Sequence, residues 1–193
     1  MKSFLLFEPN EQLQGQLDEH AADCHTRDGR TYLYQEAMDD MENNFKMIEA
    51  RQIEYDKPIL IIWNPMSGKR KDLKPAIRKS LDTAGIKYEF YETKGPYDSY
   101  EQARIFDIDS YSLLAAIGGD GTQHEIVNGM LKREDKKKIP ICPIPNGSGN
   151  IWAFNFGIND LETALNAIKC GYAVKNDVVK SLSDVESEEQ AVS

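Results

Sequence analysis

The sequence lacks several features that would assign it to whole classes of protein. Its 193 residues contain no apolar run approaching the roughly 18 residues needed to cross a bilayer, so we expect no transmembrane segment. The three cysteines, Cys24, Cys142 and Cys170, are widely spaced and form no CxxC pair. This favours reduced thiols over a disulfide framework or a zinc site. The apolar start at residues 1–7 is too short for a signal peptide, and we expect a cytoplasmic protein.

The net charge of −9 is concentrated at the two ends of the chain. Residues 1–56 contain 5 Lys and Arg against 13 Asp and Glu, and residues 183–193 contain four acidic residues and no basic one. The central part is mildly basic, which suits a phosphate-bearing ligand. It has no basic stripe with interleaved aromatic residues, so we expect no nucleic-acid partner.

Composition divides the chain into three segments. Residues 1–56 form an acidic extension, in which a helical spacing of apolar residues predicts an amphipathic helix over about 34–50. Those apolar residues are Met38, Met41, Phe45 and Ile48. Docking onto the main domain is the usual role of such a helix, and binding of a partner is the alternative. Residues 57–181 form the main domain, and residues 182–193 are predicted to be a disordered acidic tail.

The main domain alternates between strand and helix patterns. Strands are predicted over residues 59–63, 86–91, 111–117 and 139–144. Helices are predicted over 72–84 and 97–106, from Thr122 onward, after Asn150, and from Asp160 to Gly171. The first strand is continuously apolar, as in a buried parallel sheet, whereas Pro140 and Pro143 favour an edge position for the fourth. The order predicts an α/β fold with an open, mainly parallel sheet and helices on both faces.

Three of the four predicted strands end in polar loops that contain glycine. The loops are Asn64-Pro65-Met66-Ser67-Gly68, Gly118-Gly119-Asp120-Gly121-Thr122 and Pro145-Asn146-Gly147-Ser148-Gly149-Asn150. Ligands of open parallel sheets bind at the carboxyl ends of the strands, where glycine exposes backbone amides to phosphate oxygens. The GxxxxGK[ST] spacing of a Walker A loop is absent. Each loop taken alone also fits an ordinary turn.

Asp120 stands among three glycines in the second loop. A carboxylate beside a phosphate site is repulsive unless it handles a proton, holds a metal or binds a hydroxyl, and capping of a tight turn is the alternative. Glu125 would either orient a nucleotide or magnesium-bound water, or cap a helix amide. His124 is favoured as a packing or hydrogen-bonding residue over a base. The basic run at 132–138 is favoured as a solvated loop, with contact to anionic membrane lipid as the alternative.

Taken together, these loops resemble the diacylglycerol kinase catalytic domain family, which includes sphingosine and ceramide kinases. The matching segments, in order, are Ile61-Ile62-Trp63-Asn64-Pro65-Met66-Ser67-Gly68, Gly118-Gly119-Asp120-Gly121-Thr122, Glu125-Ile126-Val127-Asn128-Gly129 and Pro145-Asn146-Gly147-Ser148-Gly149-Asn150. The resemblance covers about residues 57–181. The Gly-Gly-Asp-Gly element alone would be unspecific, because NAD kinases and phosphofructokinases share it.

The resemblance implies a nucleotide-binding domain whose loops surround ATP and Mg²⁺. The implied nucleotide contacts are Asn64, Pro65, Met66, Ser67, Gly68, Thr93, Gly118, Gly119, Gly121, Thr122, Glu125, Gly147, Ser148 and Gly149. It places Asp120 where sphingosine kinase-like members have the acceptor for the proton of the lipid hydroxyl. The implied reaction moves the γ-phosphoryl group of ATP to that hydroxyl, mostly by alignment and charge stabilisation.

The form of the third loop bears on the lipid. Its Gly-Ser-Gly-Asn form is more similar to sphingosine kinases than to bacterial diacylglycerol kinases, which usually show Gly-Thr-Xaa-Asn-Asp, and Ile151 stands where many members have a polar residue. The resemblance therefore implies a sphingoid base as substrate. Peripheral contact at a membrane is a further expectation. Gly95-Pro96-Tyr97-Asp98 departs from the family's Gly-His-Ala or Gly-Asp-Ala element, which puts nucleotide contacts there in doubt.

The family continues into a second, β-sandwich domain that supplies much of the lipid pocket. We expect this domain to be absent here, so that the chain is a fragment, needs a partner chain or is inactive. The alternatives to a lipid kinase are therefore a catalytically inactive ATP-binding or regulatory fragment, and, with less support from the loops, an NAD kinase.

Overall fold

The computed structural model describes residues 2–6, 31–36, 45–68 and 72–178. The strands of these ranges are β1 (Lys2–Leu6), β2 (Thr31–Glu36), β3 (Phe45–Gln52), β4 (Ile59–Trp63), β5 (Tyr88–Glu92), β6 (Leu113–Gly118), β7 (Ile141–Pro145) and β8 (Tyr172–Asp177). The helices are α1 (Lys74–Thr83), α2 (Asp98–Ile105), α3 (Asp120–Leu131), α4 (Ile151–Phe154) and α5 (Leu161–Cys170). None of the helices in these ranges has the length and apolarity to cross a membrane.

All the strands belong to one sheet with the order β2-β3-β8-β1-β7-β6-β4-β5. The half from β1 to β5 is parallel, and β8, β3 and β2 extend it in antiparallel pairing. The four strands predicted for the main domain are all present and neighbour one another. The predicted α/β fold with a mainly parallel sheet is therefore confirmed.

The central strands are buried on both faces, which explains their continuous apolar character. In β4, Ile59, Ile61 and Trp63 pack against α1 and α5, whereas Leu60 and Ile62 pack against α2 and α3. Successive side chains of a strand point to opposite faces, so one apolar run supplies both cores. The helices lie on both faces as predicted.

The edge position predicted for the fourth strand is wrong. The strand β7 lies between β1 and β6. The Asn146 amide donates to the Gly118 carbonyl of β6 at 3.0 Å, and amides alternate sides along a strand. The nitrogen of Pro143 therefore points away from β6, towards β1, which in the described residues pairs with β7 at Leu5 opposite Ile141. The ladder with β6 loses no donor, and an interior strand tolerates the proline.

The amphipathic helix predicted over 34–50 is also wrong for the residues that the structure describes. Residues 34–36 belong to β2 and residues 45–50 to β3, which pair from Thr31 opposite Ala50 to Glu36 opposite Phe45. Residues 37–44 lie outside the described residues, as does the predicted tail at 182–193. Aromatic and β-branched residues in both segments favour strands. In addition, β3 pairs with β8, which is distant in sequence, so the local pattern does not indicate this pairing.

Candidate functional site

The glycine loops that follow β4, β6 and β7 meet at the carboxyl edge of the sheet. A methyl group on Gly68, which has a φ of +63°, would lie 1.8 Å from the carbonyl oxygen of Asn146. A methyl group on Gly119 would lie 3.1 Å from the Cα atom of Gly147. Only glycine permits backbones to approach so closely. We call the loops at 64–68, 118–122 and 145–150 the three-loop site.

Asparagine side chains tie the loops of this site together. The Asn64 amide nitrogen Nδ2 donates to Thr122 Oγ1 at 3.1 Å, and its Oδ1 accepts from the Met66 N–H at 3.0 Å. Asn146 Nδ2 lies 3.4 Å from Ser67 Oγ, which itself donates to the Asn64 carbonyl at 2.8 Å. The first loop is thus held against both of the others.

Helix α3 begins inside the second loop, with Gly119 as its N-cap and without a side-chain cap. The first intrahelical donor is the Gln123 amide, which donates to the Gly119 carbonyl at 3.1 Å. The amides of residues 120–122 therefore have no intrahelical acceptor. Within the described residues, a side-chain carbon on Gly121 would meet no atom within 4 Å beyond its chain neighbours and the backbone of its own helix. The positive end of a helix, with amides that lack an intrahelical acceptor and open space beside Gly121, is suited to an anion such as phosphate.

The carboxylate of Asp120 faces the third loop instead of capping its own helix. Its Oδ1 accepts from the Trp152 N–H in the first turn of α4 at 2.9 Å. Its Oδ2 would lie 2.9 Å from a methyl group on Gly149. The alternative of a turn-capping aspartate is therefore wrong for α3, and one carboxylate oxygen is held while the other lies beside a glycine.

Thr93 and Glu125 complete the rim of the site. Thr93 is buried, and its N–H donates to the Trp63 carbonyl at 2.9 Å, so the loop after β5 starts at the same edge. Glu125 Oε1 accepts from the N–H of Tyr97 at 3.3 Å. Tyr97 has a φ of +63°, which is uncommon for a residue with a side chain. His124 was expected to pack or to form hydrogen bonds; it is exposed on α3, which does not fit packing, and its hydrogen-bonding role stays a prediction.

Asn150 was not predicted as a site residue, although it is a central residue of the third loop in the structure. Asn150 has a φ of +56°; its Oδ1 accepts from the Gly147 N–H at 2.7 Å and its Nδ2 donates to the Gly147 carbonyl at 2.9 Å. The available signal was its type and place, because asparagine after a glycine-rich turn tolerates the left-handed conformation and bonds locally to backbone.

The sequence matches the family described as the diacylglycerol kinase catalytic domain over residues 58–181. The chain belongs to this family. The crystal structure of a diacylglycerol kinase from Bacillus anthracis str. Sterne matches with a TM-score of 0.50 and 26% identity, over 58% of this chain and 42% of that chain.

Sphingosine kinases and diacylglycerol kinases are both among the similar proteins. Sphingosine kinase 1 of Arabidopsis thaliana is 38% identical over 49% of this chain and 21% of its own length. Sphingosine kinase B of Dictyostelium discoideum is 34% identical over 64% of this chain and 17% of its own length. A diacylglycerol kinase of Staphylococcus aureus (strain JH9) is 36% identical over 62% of this chain and 38% of its own length. The kinase-family chain thus spans well under half the length of these relatives.

The basic run at 132–138 is less solvated than expected. Arg133 is buried and donates to both oxygens of Asp135 at 2.6 and 3.0 Å and to the Ala103 carbonyl at 3.2 Å. This bonding lowers the pKa of Asp135 to about 2. Lys138 Nζ donates to the Met130 carbonyl at 2.6 Å, and burial lowers the pKa of Lys138. These two cations serve the packing of α2 and α3.

A cleft of about 600 Å³ lies at the opposite, amino edge of the parallel strands. Its lining has mixed charge and includes Arg51, Lys57, Asp109 and Lys137, of which the last two form an ion pair. It contains no residue of the three-loop site. The helix amides of α3, the loop glycines and the Asp120 carboxylate all lie at the other edge of the sheet. The three-loop site is therefore the candidate active site of this kinase-family domain.

Proposed function

We propose that the three-loop site binds ATP and transfers its γ-phosphoryl group to the hydroxyl of a lipid. Membership of the diacylglycerol kinase catalytic domain family supports a lipid kinase. The observation that carries the proposal is the junction of the loops around Asp120. There, closely packed glycine backbones, open space at Gly121, three amides without an intrahelical acceptor at the start of α3 and one oriented carboxylate share a single edge of the sheet.

The residues present fit a triphosphate in shape and charge. The phosphates lie against Gly118, Gly119 and Gly121 in this proposal, and the third loop contributes Gly147, Ser148 and Gly149 from the other side. Gly121 has open space where a side chain would stand, so a phosphate reaches its amide without displacing protein atoms. Ser148 is exposed and free to turn its hydroxyl to a phosphate oxygen.

The nucleoside part would lie between the first loop and the loop after β5. Asn64 and Pro65 are half-buried at the edge, Met66 is 67% exposed, and Ser67 and Gly68 continue the same surface. An exposed methionine offers an apolar, adaptable contact for a purine ring. Thr93 and Glu125 close the far side of this surface.

Within the described ranges, no group of three or more His, Cys, Asp or Glu residues could hold a metal ion by itself. This fits Mg²⁺ that arrives with the nucleotide, because Mg²⁺ is held mainly by phosphates and water with one or two carboxylates. Asp120 and Glu125 are the carboxylates available at the site. Bound Mg²⁺ would supply neutralisation of charge on the phosphates.

Asp120 is the proposed acceptor of the proton. Because the Trp152 amide occupies Oδ1, Oδ2 remains to receive the proton of the lipid hydroxyl. The hydroxyl oxygen forms a bond to the γ-phosphorus as the bond from that phosphorus to the β,γ-bridging oxygen breaks, and ADP leaves. The amides of residues 120–122 face the charge that this transfer redistributes over the phosphates.

A sphingoid base is the proposed acceptor, with peripheral contact at a membrane surface in the cytoplasm. Ile151 is 65% exposed, and its Cγ1 and the Asp120 Oδ2 would both lie within 4 Å of a methyl group on Gly149. An apolar side chain this close to the proton acceptor suits an amphiphile whose hydroxyl reaches Asp120. Similar proteins named sphingosine kinase support the same class.

A radiolabelled ATP assay that offers sphingosine, diacylglycerol and NAD separately tests this proposal. We expect label in the sphingosine product, and less in diacylglycerol. Label in NAD would instead indicate an NAD kinase. Binding of ATP with Mg²⁺ but no labelled product would favour the inactive ATP-binding fragment and contradict the proposed activity.

A further inference from the structure

The turn that precedes α4 is closed by one side chain. Asn150 makes a reciprocal pair of hydrogen bonds with the backbone of Gly147, through Oδ1 at 2.7 Å and Nδ2 at 2.9 Å. Its φ of +56° turns the chain sharply into Ile151. The loop at 147–149 lies beyond the end of β7 and has no hydrogen bonds of the sheet to hold it. The two side-chain bonds from Asn150 to Gly147 therefore fix the conformation of the turn.

The closed turn contacts Asp120 on several sides. At its end, the Trp152 N–H donates to Oδ1 at 2.9 Å; in its middle, Gly149 lies beside Oδ2. At its start, Gly147 packs on Gly119, the residue before Asp120. Among the described residues, the Trp152 amide is the hydrogen-bond donor that reaches this carboxylate. The direction of the carboxylate therefore depends on where the turn places that amide.

We propose that Asn150 is a positioning residue that fixes the orientation of the Asp120 carboxylate through the backbone of residues 147–152. Loss of the Asn150 side-chain bonds would open the turn and move the Trp152 amide away from Oδ1. The Asp120 carboxylate could then rotate away from the direction that it has in the structure. The orientation of the Asp120 carboxylate by Asn150 can be tested without any reaction. Its effect on turnover rests on the proposed function.

The Trp152 amide proton reports the geometry directly. In a ¹H–¹⁵N spectrum, Asp120→Asn sets the reference, since loss of the charged acceptor weakens the hydrogen bond and moves the amide proton upfield. Asn150→Gly retains freedom for a positive φ and removes both side-chain bonds. We expect it to move the Trp152 resonance in the same direction by at least half as much. Asn155→Ala, at the exposed other end of α4, is the matched control and should leave the resonance in place.

The double variant Asp120→Asn with Asn150→Gly should move the Trp152 resonance by less than the sum of the two single shifts, because both changes act on one contact. Asn150→Asp retains an acceptor for the Gly147 amide and tolerates the left-handed conformation. It should lie closer to the wild-type resonance than Asn150→Gly does. A Trp152 resonance that stays in place in folded Asn150→Gly would overturn the inference. Failure of both Asn150 variants to fold, with the Asn155 control folded, would also overturn it, by making the role structural.

Kinetics test the consequence for the proposed reaction. We expect Asn150→Gly to lower kcat roughly 10- to 100-fold, the loss typical of a reacting group displaced by about 1 Å. The affinity for ATP should fall less than kcat, because the amides at the start of α3 stay in place and the third-loop contacts with the phosphates alone are disturbed. Equal losses in kcat and ATP affinity would contradict positioning of Asp120. A wild-type chain without lipid turnover would refute the proposed function, while the Trp152 resonance would still decide the role of Asn150.

Discussion

At the scale of single residues, the glycines of the site differ in what occupies the space of their missing side chains. At Gly68, Gly118 and Gly147 that space is filled by neighbouring protein atoms, with closest distances of 1.8 to 2.4 Å. At Gly121 it is open. The sequence alone does not distinguish a glycine that is required by packing from one that leaves space for a ligand. The structure separates them and makes Gly121 the best probe of ligand space.

Gly121→Ala should weaken ATP binding without harm to the fold. In the described part of the chain, the new methyl group meets no atom outside its own helix. Alanine in a helix is about 1 kcal/mol more favourable than glycine, so thermal stability should stay equal or rise. The methyl group does occupy the space proposed for a phosphate. Calorimetric titration with ATP and Mg²⁺ should show at least a several-fold weaker Kd. Unchanged affinity would place the phosphates elsewhere.

Asp120→Asn should leave the fold intact and remove turnover. The asparagine keeps an oxygen for the Trp152 amide but cannot take a proton from the lipid hydroxyl. We expect a loss of roughly 10²- to 10⁴-fold in kcat, the usual contribution of general base catalysis. A thermal melt within a few degrees of the wild type serves as the control. Kinase activity equal to the wild type would remove Asp120 from the mechanism.

At the scale of elements, the strands that were predicted and those that were missed differ in how local their signals are. The strands β4 and β6 are buried on both faces, and each is therefore recognisable in the sequence as a continuous apolar run. In β8 only Ala173 and Val174 are buried. Its existence depends on β1 and β3, which are remote in sequence. Strands that owe their stability to distant partners carry weak local patterns, which is why β1, β2, β3 and β8 were not foreseen.

The contact between α2 and α3 depends on Gly129. A methyl group there would lie 2.2 Å from the Tyr100 carbonyl oxygen and 2.9 Å from the Ala103 Cβ. Gly129→Ala should therefore push the helices apart and lower the free energy of unfolding by about 1–3 kcal/mol, as overpacking typically does. Urea unfolding measures the change, and Gly121→Ala on the same helix is the matched control. Equal stability of the two variants would contradict the close helix contact.

The loop after α3 should make stability depend on pH through Asp135. Arg133 holds the pKa of this carboxyl at about 2, below its ordinary value, so the ionised form favours the folded state. That contribution is complete above the ordinary value and is lost as pH falls towards 2. Asp135→Asn should be less stable than the wild type at pH 7, and the difference should shrink between about pH 4 and 2. A urea series with Glu134→Gln as control measures it. A constant difference across this range would exclude the pair as its cause.

At the scale of the whole molecule, the place of the site followed from topology. Parallel strands present their carboxyl ends at one edge, so loops far apart in the sequence were expected to meet, and the structure brings them together. The contacts that clamp them, from Asn64, Asn146 and Asn150, were not foreseen. Each depends on a side chain reaching a particular backbone group, and such geometry leaves no periodic pattern. The edge of the sheet at which the loops meet was thus predictable, whereas the hydrogen bonds between and within the loops were not.

The most direct measurement is a map of backbone amide shifts on titration with a non-hydrolysable ATP analogue and Mg²⁺. Nucleotide binding at the three-loop site predicts saturable changes at residues 64–68, 118–122 and 146–150, led by the amides at the start of α3. Changes confined to the amino-edge cleft, around Arg51, Lys57 and Lys137, would contradict it, because the nucleotide would then bind at the end of the sheet opposite Asp120.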